Sequence, residues 1–303
     1  MKFILAVLAA LASQAYATNN FYGMVAANAI GGKTPYTCRT QADWNTLAKT
    51  SKANGFKSLR IVGFDCDALS RASKAAATYN LTVLAGIYIH KTVTEAKKQI
   101  DDEVQIFMYN YWRYGASRYV GLTIGNEVND TTYNIMQRVY DVRGYLRMMG
   151  VTTPVSTVHT WVRIRDEPGL CGADFVAANA QNEADVMRLC RSAFFDGART
   201  SRQAGDFLFK LAVPSLQKKC PGKKLIISET GWPSEGRNNS KAIASLNDER
   251  LAILNLNCAC RDDRSVTVYA FEADNQMWKD NQNERSFGIF GKLELPSIFD
   301  ICN

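Results

Sequence analysis

The chain alternates short apolar runs with longer segments in which apolar and charged residues are mixed. Most of the short runs are continuously hydrophobic and rich in Val, Ile, Leu or aromatic residues, as expected for parallel strands that are covered on both faces. The eight runs span 20–27, 58–64, 81–89, 119–128, 154–161, 173–180, 223–230 and 265–273. The pattern therefore predicts eight buried strands.

Segments with helical character separate these runs. The predicted helical segments are 42–55, 66–80, 92–113, 131–150 and 241–258. In one of them Ile135, Val139 and Val142 lie three or four positions apart, which places them on one face of a helix, and Gly150 is a typical helix stop. Eight strands alternating with helices predict an α/β fold, and their number favours a single (β/α)8 barrel over an open doubly wound sheet.

Residues 1–17 have the pattern of a secretory signal peptide. Lys2 precedes an apolar run, and Ala15-Tyr16-Ala17 forms a small-x-small cleavage pattern. Residues 18–303 then form the predicted single barrel domain. No later run is apolar enough to cross a bilayer, and the C-terminus lacks the hydrophobic tail of a lipid-anchor signal. We expect a secreted protein, extracellular or in a cell wall, without a transmembrane anchor.

Composition and charge indicate which classes of protein the chain can belong to. The 303 residues are 47% hydrophobic and 21% charged, an ordinary globular composition, and the formal net charge is +7. Because the basic residues are scattered along the chain, they indicate a solvated surface and argue against nucleic-acid binding. We expect a monomer.

The eight cysteines indicate disulfides, because export favours disulfides over metal ligation. The expected pairs are Cys38 with Cys66 and Cys302 with either Cys258 or Cys260. The chain has two histidines, and Cys258-Ala259-Cys260 lacks the spacing of a zinc knuckle, so no metal site is expected. Three N-glycosylation sequons, typical of surface loops in exported proteins, begin at Asn80, Asn129 and Asn238.

Two strand ends carry candidate catalytic residues, because active sites of such barrels gather at the carboxyl ends of the strands. The fourth run ends in "TIGNEV", with Asn126 and Glu127, and the seventh ends in "ISET", with Glu229. A single buried glutamate is more often structural than catalytic, but two on non-adjacent strands can face each other across one mouth. Hydrolysis of a glycosidic bond requires such a pair of carboxyl groups.

Aromatic residues in several of the same runs fit a sugar-binding cleft. Aromatic faces stack on the apolar faces of sugar rings while polar neighbours bind the hydroxyl groups. The alternative for each residue is packing in the core. The candidates are Tyr22, Tyr88, His159, Trp161, Trp232 and Phe271.

Three segments, "TIGNEV", "ISETGWPSEG" and "FEADNQMWKDNQNERSFGIFG", together resemble the family 17 glycoside hydrolases, the fungal and plant β-1,3-glucanases. The segments "STVHTWV" and "RIVGFDCDAL" resemble the fungal branch, and the resemblance extends over nearly all of the chain after residue 17. It implies a retaining mechanism through a covalent glycosyl-enzyme and no cofactor.

The resemblance also implies roles for individual residues. Glu127 matches the general acid/base, Glu229 the nucleophile, and Asn126 the residue that hydrogen-bonds the sugar 2-hydroxyl. A supporting polar cluster is implied at Glu272, Lys279 and Glu284. Retention requires about 5 Å between the two catalytic carboxyl groups, with Glu229 charged and Glu127 protonated before it donates.

The function implied is cleavage of β-1,3-glucan, with either water or another sugar as the glycosyl acceptor. This polysaccharide substrate is the one binding partner that we expect. Transfer to a sugar would serve remodelling of a fungal cell wall. Two alternatives stay open. One is a non-catalytic, wall-associated glucan-binding protein, and the other is the same fold acting on β-1,6 or mixed-linkage glucan.

The chain departs from the family pattern at two places. Val62 stands where members often carry tyrosine, which removes a stacking or hydrogen-bonding group. Residues 181–192, "QNEADVMRLCRS", intervene before "AFFDG" on the predicted substrate face and add Cys190. The insertion fits a harmless loop lengthening, whose entropic cost is modest, a reshaped cleft, or an error in the gene model.

Overall fold

The predicted single (β/α)8 barrel is confirmed by a computed structural model, which describes residues 18–180 and 193–302. Eight parallel strands follow one another around a closed barrel in chain order, and β1 pairs with β8 to close it. The predicted signal peptide (1–17), the insertion (181–192) and therefore Cys190 lie outside the described residues. The strands are β1 Gly23–Ala26, β2 Ser58–Ile61, β3 Thr82–Ile87, β4 Tyr119–Asn126, β5 Val155–Thr160, β6 Val176–Asn179, β7 Leu225–Thr230 and β8 Val266–Ala270.

Helices surround the strands on the outside of the barrel. The α-helices are α1 Gln41–Ala53, α2 Ala68–Thr78, α3 Lys97–Tyr114, α4 Thr132–Met148, α5 Trp161–Asp166, α6 Ala204–Phe207, α7 Val213–Lys219, α8 Leu246–Asp262, α9 Gln282–Arg285 and α10 Leu295–Asp300. The five predicted helical segments correspond to α1, α2, α3, α4 and α8. The other α-helices have at most seven residues each, too few to show a clear apolar period in the sequence.

Local capping sets where the longer helices begin. The side chain of Thr40 caps α1 and forms a reciprocal capping box with Asp43. Ser245 caps α8 by accepting a hydrogen bond from the backbone of Asp248. The sequence predicted a start at residue 241, and the observed helix begins five residues later because Asn239 and Ala242 form an isolated β-bridge first.

Two separate apolar cores hold the barrel together. A small core fills the barrel interior, and a much larger one lies between the strands and the surrounding helices. Because side chains alternate between the two sides of a strand, strands such as β1, β3 and β5 contribute to both cores. The interior core consists of Val25, Leu84, Val158, Phe175, Ala177, Ile226, Tyr269, Phe271 and Phe287.

Three disulfides tie the described chain together. Cys38–Cys66 is confirmed, and Cys302 pairs with Cys258, which settles the choice that the sequence left open. A third bridge, Cys171–Cys220, was not predicted. Cys260 is a buried thiol, and burial raises its pKa far above the ordinary range, so it stays protonated. Among the described residues no helix combines the length and apolarity needed to cross a membrane.

Candidate active site

The two candidate carboxylates lie at the same end of the barrel. Glu127 directly follows β4, and Glu229 is the penultimate residue of β7. Parallel strands place all their carboxyl ends on one face, so both glutamates belong to the rim that we call the mouth. Glu229 is 7% exposed, so its carboxylate requires partners inside the protein.

The end of β4 turns sharply. Gly125 has φ +78° and Glu127 has φ +55°, both in the left-handed region that non-glycine residues rarely adopt. A Cβ on Gly125 would lie 2.3 Å from Val128, so glycine is required there for space as well as for conformation. The Glu127 amide donates to the Val158 carbonyl at 2.8 Å. Such a conformation at a candidate catalytic residue persists because the surrounding structure fixes it.

Arg60, in the middle of β2, connects the two strand ends. Its Nη1 donates to Glu229 Oε1, and its Nη2 donates to Asn126 Oδ1 at 2.7 Å. The residue is 1% exposed. A buried guanidinium is always charged and presents a rigid fork of donors, so Arg60 holds Glu229 and Asn126 in a fixed relation and stabilises the negative charge on Glu229.

Asn179, the last residue of β6, completes the connection to Glu127. Its Nδ2 donates to Glu127 Oε1 at 2.8 Å and more weakly to Asn126 Oδ1 at 3.3 Å. Its Oδ1 accepts from Ser228 Oγ at 2.8 Å, which orients the amide. A continuous hydrogen-bonded path therefore runs from Glu127 through Asn179, Asn126 and Arg60 to Glu229.

The two carboxylates have different neighbours along this path. Glu229 contacts the Arg60 cation, whereas Glu127 accepts from the neutral amide of Asn179. The guanidinium beside Glu229 suits a residue that must attack as an anion.

The polar cluster implied after β8 is present. Lys279 Nζ donates to Glu272 Oε1 at 3.1 Å and lies 4.0 Å from Glu284. Burial alone would lower the pKa of Lys279, but the charges of Glu272 and Glu284 raise it above its ordinary value. Lys279 is therefore a firmly charged ammonium beside the mouth.

Glu272 makes the stability of the fold depend on pH. Burial raises its pKa from 4.5 to about 7, and the ion pair with Lys279 offsets this only in part. Between these two values the folded protein retains a proton that the unfolded chain releases, so stability falls as pH rises through this window. From pH 5 to pH 8 the wild type should lose on the order of 2 kcal/mol more unfolding free energy than Glu272→Gln.

Urea unfolding of both proteins at the two pH values measures this difference. The shared contribution of Glu249, whose pKa burial raises to about 8, cancels in the comparison. Equal losses in the two proteins would mean that Glu272 is ionised throughout the range.

Trp232 lies in the core instead of the cleft. It is fully buried, its Nε1 donates to the Ile243 carbonyl at 2.8 Å, and its ring packs edge-on against Phe194. The preceding Gly231 is required by space, since a Cβ would lie 2.0 Å from the carbonyl oxygen of Phe271. The Gly-Trp pair thus anchors the loop that follows Glu229, and the predicted stacking of Trp232 on a sugar is not possible in this conformation.

Three other predicted sugar contacts need correction. Tyr22 precedes β1 and therefore lies at the amino ends of the strands, opposite the mouth. His159 is fully buried on the helix-facing side of β5, where it contacts Thr157 and Arg163. Burial and the charge of Arg163 lower the pKa of His159 to about 3, so it is neutral. Trp161 is 4% exposed and packs edge-on against Phe207 in the outer core.

The remaining aromatic candidates stay near the mouth. Tyr88, just after β3, is 37% exposed, and its ring lies edge-on to His90 at 4.7 Å. Phe271 is buried in the interior core, directly before Glu272. Val62, just after β2, is partly buried and packs against that core.

Sequence reasoning missed Arg60 and Asn179. Both lie in segments that were assigned as strands, "SLRIVGF" and "ADFVAANA". The available signal was a lone charged or amide residue within an otherwise apolar run, because such a residue is buried only with a partner.

Comparisons with known proteins identify the family of the chain. The sequence profile of the BtgE/BtgC glycoside hydrolase domain matches residues 27–289. The cell surface mannoprotein MP65 of Candida albicans is 27% identical over 258 residues, covering 84% of this chain and 63% of that protein. The probable family 17 glucosidase SCW10 of Saccharomyces cerevisiae is also 27% identical over 258 residues, covering 84% of this chain and 61% of that protein.

The chain thus spans about three fifths of the length of these relatives. Among solved structures, a family 17 β-1,3-glucanosyltransferase from Rhizomucor miehei has a TM-score of 0.72 at 20% identity, covering 90% of this chain and 94% of that one. That likeness supports the fold. Because the domain profile covers most of the sequence, the chain belongs to the BtgE/BtgC glycoside hydrolase domain family, within glycoside hydrolase family 17.

Proposed function

We propose that the protein is a retaining glycoside hydrolase that cleaves β-1,3-glucan and also transfers the cleaved chain to a second glucan. The observation that carries the proposal is the hydrogen-bonded path that joins Glu127 to Glu229 through Asn179, Asn126 and Arg60. It joins the two carboxylates at one mouth and pairs Glu229 with the Arg60 cation. The names of two similar proteins, a probable family 17 glucosidase and a family 17 β-1,3-glucanosyltransferase, support the same substrate class.

In the first step of the proposed reaction Glu229 attacks the anomeric carbon as an ionised carboxylate. The glycosidic C–O bond breaks, and Glu127 gives its proton to the departing oxygen. Asn126 has its Oδ1 engaged by Arg60 and Asn179, which directs its Nδ2 hydrogens elsewhere, toward the place where the sugar 2-hydroxyl would lie. The product is a glycosyl ester on Glu229.

In the second step Glu127, now a carboxylate, takes a proton from the acceptor hydroxyl. The acceptor oxygen attacks the anomeric carbon, and Glu229 leaves as a carboxylate. Water as the acceptor gives hydrolysis, and a sugar hydroxyl gives transfer with the same stereochemistry. Two inversions at one carbon retain the β configuration.

We also propose that the protein acts outside the cell, in a cell wall, with residues 1–17 as its signal peptide and 18–303 as its catalytic barrel. Three disulfides favour an oxidising compartment, and one relative is named a cell surface protein. The expected monomer without a nucleic-acid partner stays a prediction.

Product masses from a defined linear β-1,3-glucan hexamer test the function. We expect the purified protein to form oligomers both shorter and longer than six units, because hydrolysis and transfer share one intermediate. Glu127→Gln is the matched control and should form neither, since it cannot protonate the leaving oxygen. Parallel digests of β-1,6 and mixed-linkage glucans should be slower.

Three outcomes would contradict the proposal. Binding of insoluble glucan with no turnover would favour the non-catalytic glucan-binding alternative. Faster cleavage of a β-1,6 or mixed-linkage glucan would change the substrate. Equal activity in Glu127→Gln and the wild type would place the chemistry elsewhere.

A further inference from the structure

Two aromatic side chains that the reaction does not use contact each other at the mouth. Tyr36 lies in the loop after β1, and Trp278 lies in the loop after β8. Their ring centroids are 4.9 Å apart in an edge-to-face arrangement. Tyr36 is 39% exposed and Trp278 is 38% exposed. We call these residues the Tyr36–Trp278 pair.

Tyr36 is held from the β2 side of the mouth. Its hydroxyl donates to Asp65 Oδ2 at 2.5 Å, and Asp65 Oδ1 accepts from Asn28 Nδ2 at 2.6 Å. Burial, and then the hydrogen bond to Asp65, raise the pKa of the Tyr36 phenol, so the hydroxyl remains a donor. The disulfide Cys38–Cys66 joins the loops that carry these residues.

Buried polar groups fix the position of the Trp278 side chain. Its Nε1 donates to Gln276 Oε1 at 2.9 Å, and the fully buried Gln276 in turn donates to Asp274 Oδ1 at 3.0 Å. Asp274 is paired with Arg39, which is 3% exposed. Because the polar atoms of both aromatic side chains are engaged within the protein, the area they expose is mainly aromatic carbon.

The pair lies on a defined side of the reacting centre. Its loops follow β8 and β1, which are across the closed barrel from β4, the strand that carries Glu127. The sugar that leaves must touch the acid Glu127, so the chain retained on Glu229 extends the other way. Lys279, next to Trp278 in the chain, contacts Glu272 and lies close enough to Glu229 for their charges to interact.

We propose that the Tyr36–Trp278 pair is a binding platform for a β-linked glucosyl unit of the retained chain, beyond the unit that is held on Glu229. The inference depends on the function proposed above. Exposed aromatic faces bind sugar rings by stacking, and a platform fixed by buried polar groups loses little conformational entropy when it does so. The platform makes the enzyme prefer long glucan chains over short ones.

Kinetics on oligomers of different length test the platform. Trp278→Ala should lower kcat/KM for a β-1,3-glucan heptamer by about 10-fold, the effect of losing one stacked ring. The effect on a trimer, which leaves at most two glucosyl units on the retained side, should be smaller, under about 2-fold. Trp278→Phe keeps a ring and should recover most of the heptamer rate.

Tyr109→Ala is the matched control for removing an exposed aromatic residue. Tyr109 is 60% exposed on α3, on the flank of the barrel. Its loss should leave kcat/KM unchanged for both the heptamer and the trimer. Thermal unfolding of each variant checks that the barrel stays folded. If Trp278→Ala lowered kcat/KM equally for heptamer and trimer, or did not lower it for the heptamer, the platform would be overturned.

Binding separates failure of the platform from failure of the proposed function. Calorimetry on Glu229→Gln with the heptamer should give about 10-fold tighter binding than on Glu229→Gln/Trp278→Ala. Equal affinities, or no binding by either protein, would overturn the platform. A wild type that cuts no glucan, together with the expected affinity difference, would overturn the proposed catalysis and leave the platform supported.

Discussion

Replacing Glu229 with glutamine is expected to lower kcat on β-1,3-glucan by about 10⁴-fold or more while the protein stays folded. Glutamine has nearly the shape of glutamate and keeps an oxygen that can accept from Arg60 Nη1, but it cannot act as the anionic nucleophile. Initial rates of reducing-end release measure the loss, and circular dichroism verifies the fold. Activity within about 10-fold of the wild type would exclude Glu229 as the nucleophile.

Azide rescue distinguishes the roles of the two glutamates. In Glu229→Ala, azide should attack an activated aryl β-glucoside directly and give the inverted α-glucosyl azide. In Glu127→Ala the glycosyl-enzyme still forms on Glu229, so azide should attack that intermediate and give the β-glucosyl azide. Products of the opposite configuration would exchange the two assignments, and one configuration from both variants would contradict the two-step reaction.

Replacing Arg60 with methionine is expected to cost about 3–5 kcal/mol of unfolding free energy, because it removes the buried cation that is paired with the Glu229 carboxylate. The side chains of Arg60 and Glu229 are 1% and 9% exposed, so water cannot substitute fully for the lost cation. The activity should fall by about 100-fold or more, since the charge and orientation of Glu229 both depend on the guanidinium. Urea unfolding and initial rates measure the two effects.

A double-mutant cycle tests whether the loss of stability comes from breaking the Arg60–Glu229 ion pair. Arg60→Met should destabilise the Glu229→Gln protein less than the wild type, with a coupling of about 1–3 kcal/mol. Lys98→Met removes a lysine that pairs with Asp102 on the exposed surface of α3, where the two side chains are 87% and 62% exposed, and it should have no measurable effect. Additive losses in the cycle would show that Arg60 stabilises the fold through other contacts.

Much of the fold could be predicted because its signals are local. Continuous apolar runs identified the eight strands, and the three-to-four spacing of residues such as Ile135 and Val139 identified the long helices. The carboxylates at the strand ends followed from the same pattern, since the end of a run is visible without knowing its neighbours. The short helices α5, α6 and α7 gave no such signal because they have seven residues or fewer.

The aromatic residues show where local signals stop. His159 was predicted to face the cleft, but it points toward the helices because side chains alternate along β5 and its neighbour Val158 fills the interior. Tyr22 was predicted to bind sugar, yet it precedes β1 and so lies at the end opposite the mouth. A shift of one residue along a strand moves a side chain to the other side of the sheet. The apolar runs alone do not fix the position of a residue that finely.

The sequence alone determined the eight strands, the family and the place of each glutamate at a strand end, because each of these depends on residues that are near one another in the chain. Tertiary structure alone decided that Arg60 and Asn179 connect these glutamates, and that Tyr36 meets Trp278 at the rim. These contacts join strands or loops that are far apart in the sequence. Their partners are chosen by the closure and register of the barrel, which bring the strand ends together and which no single segment specifies.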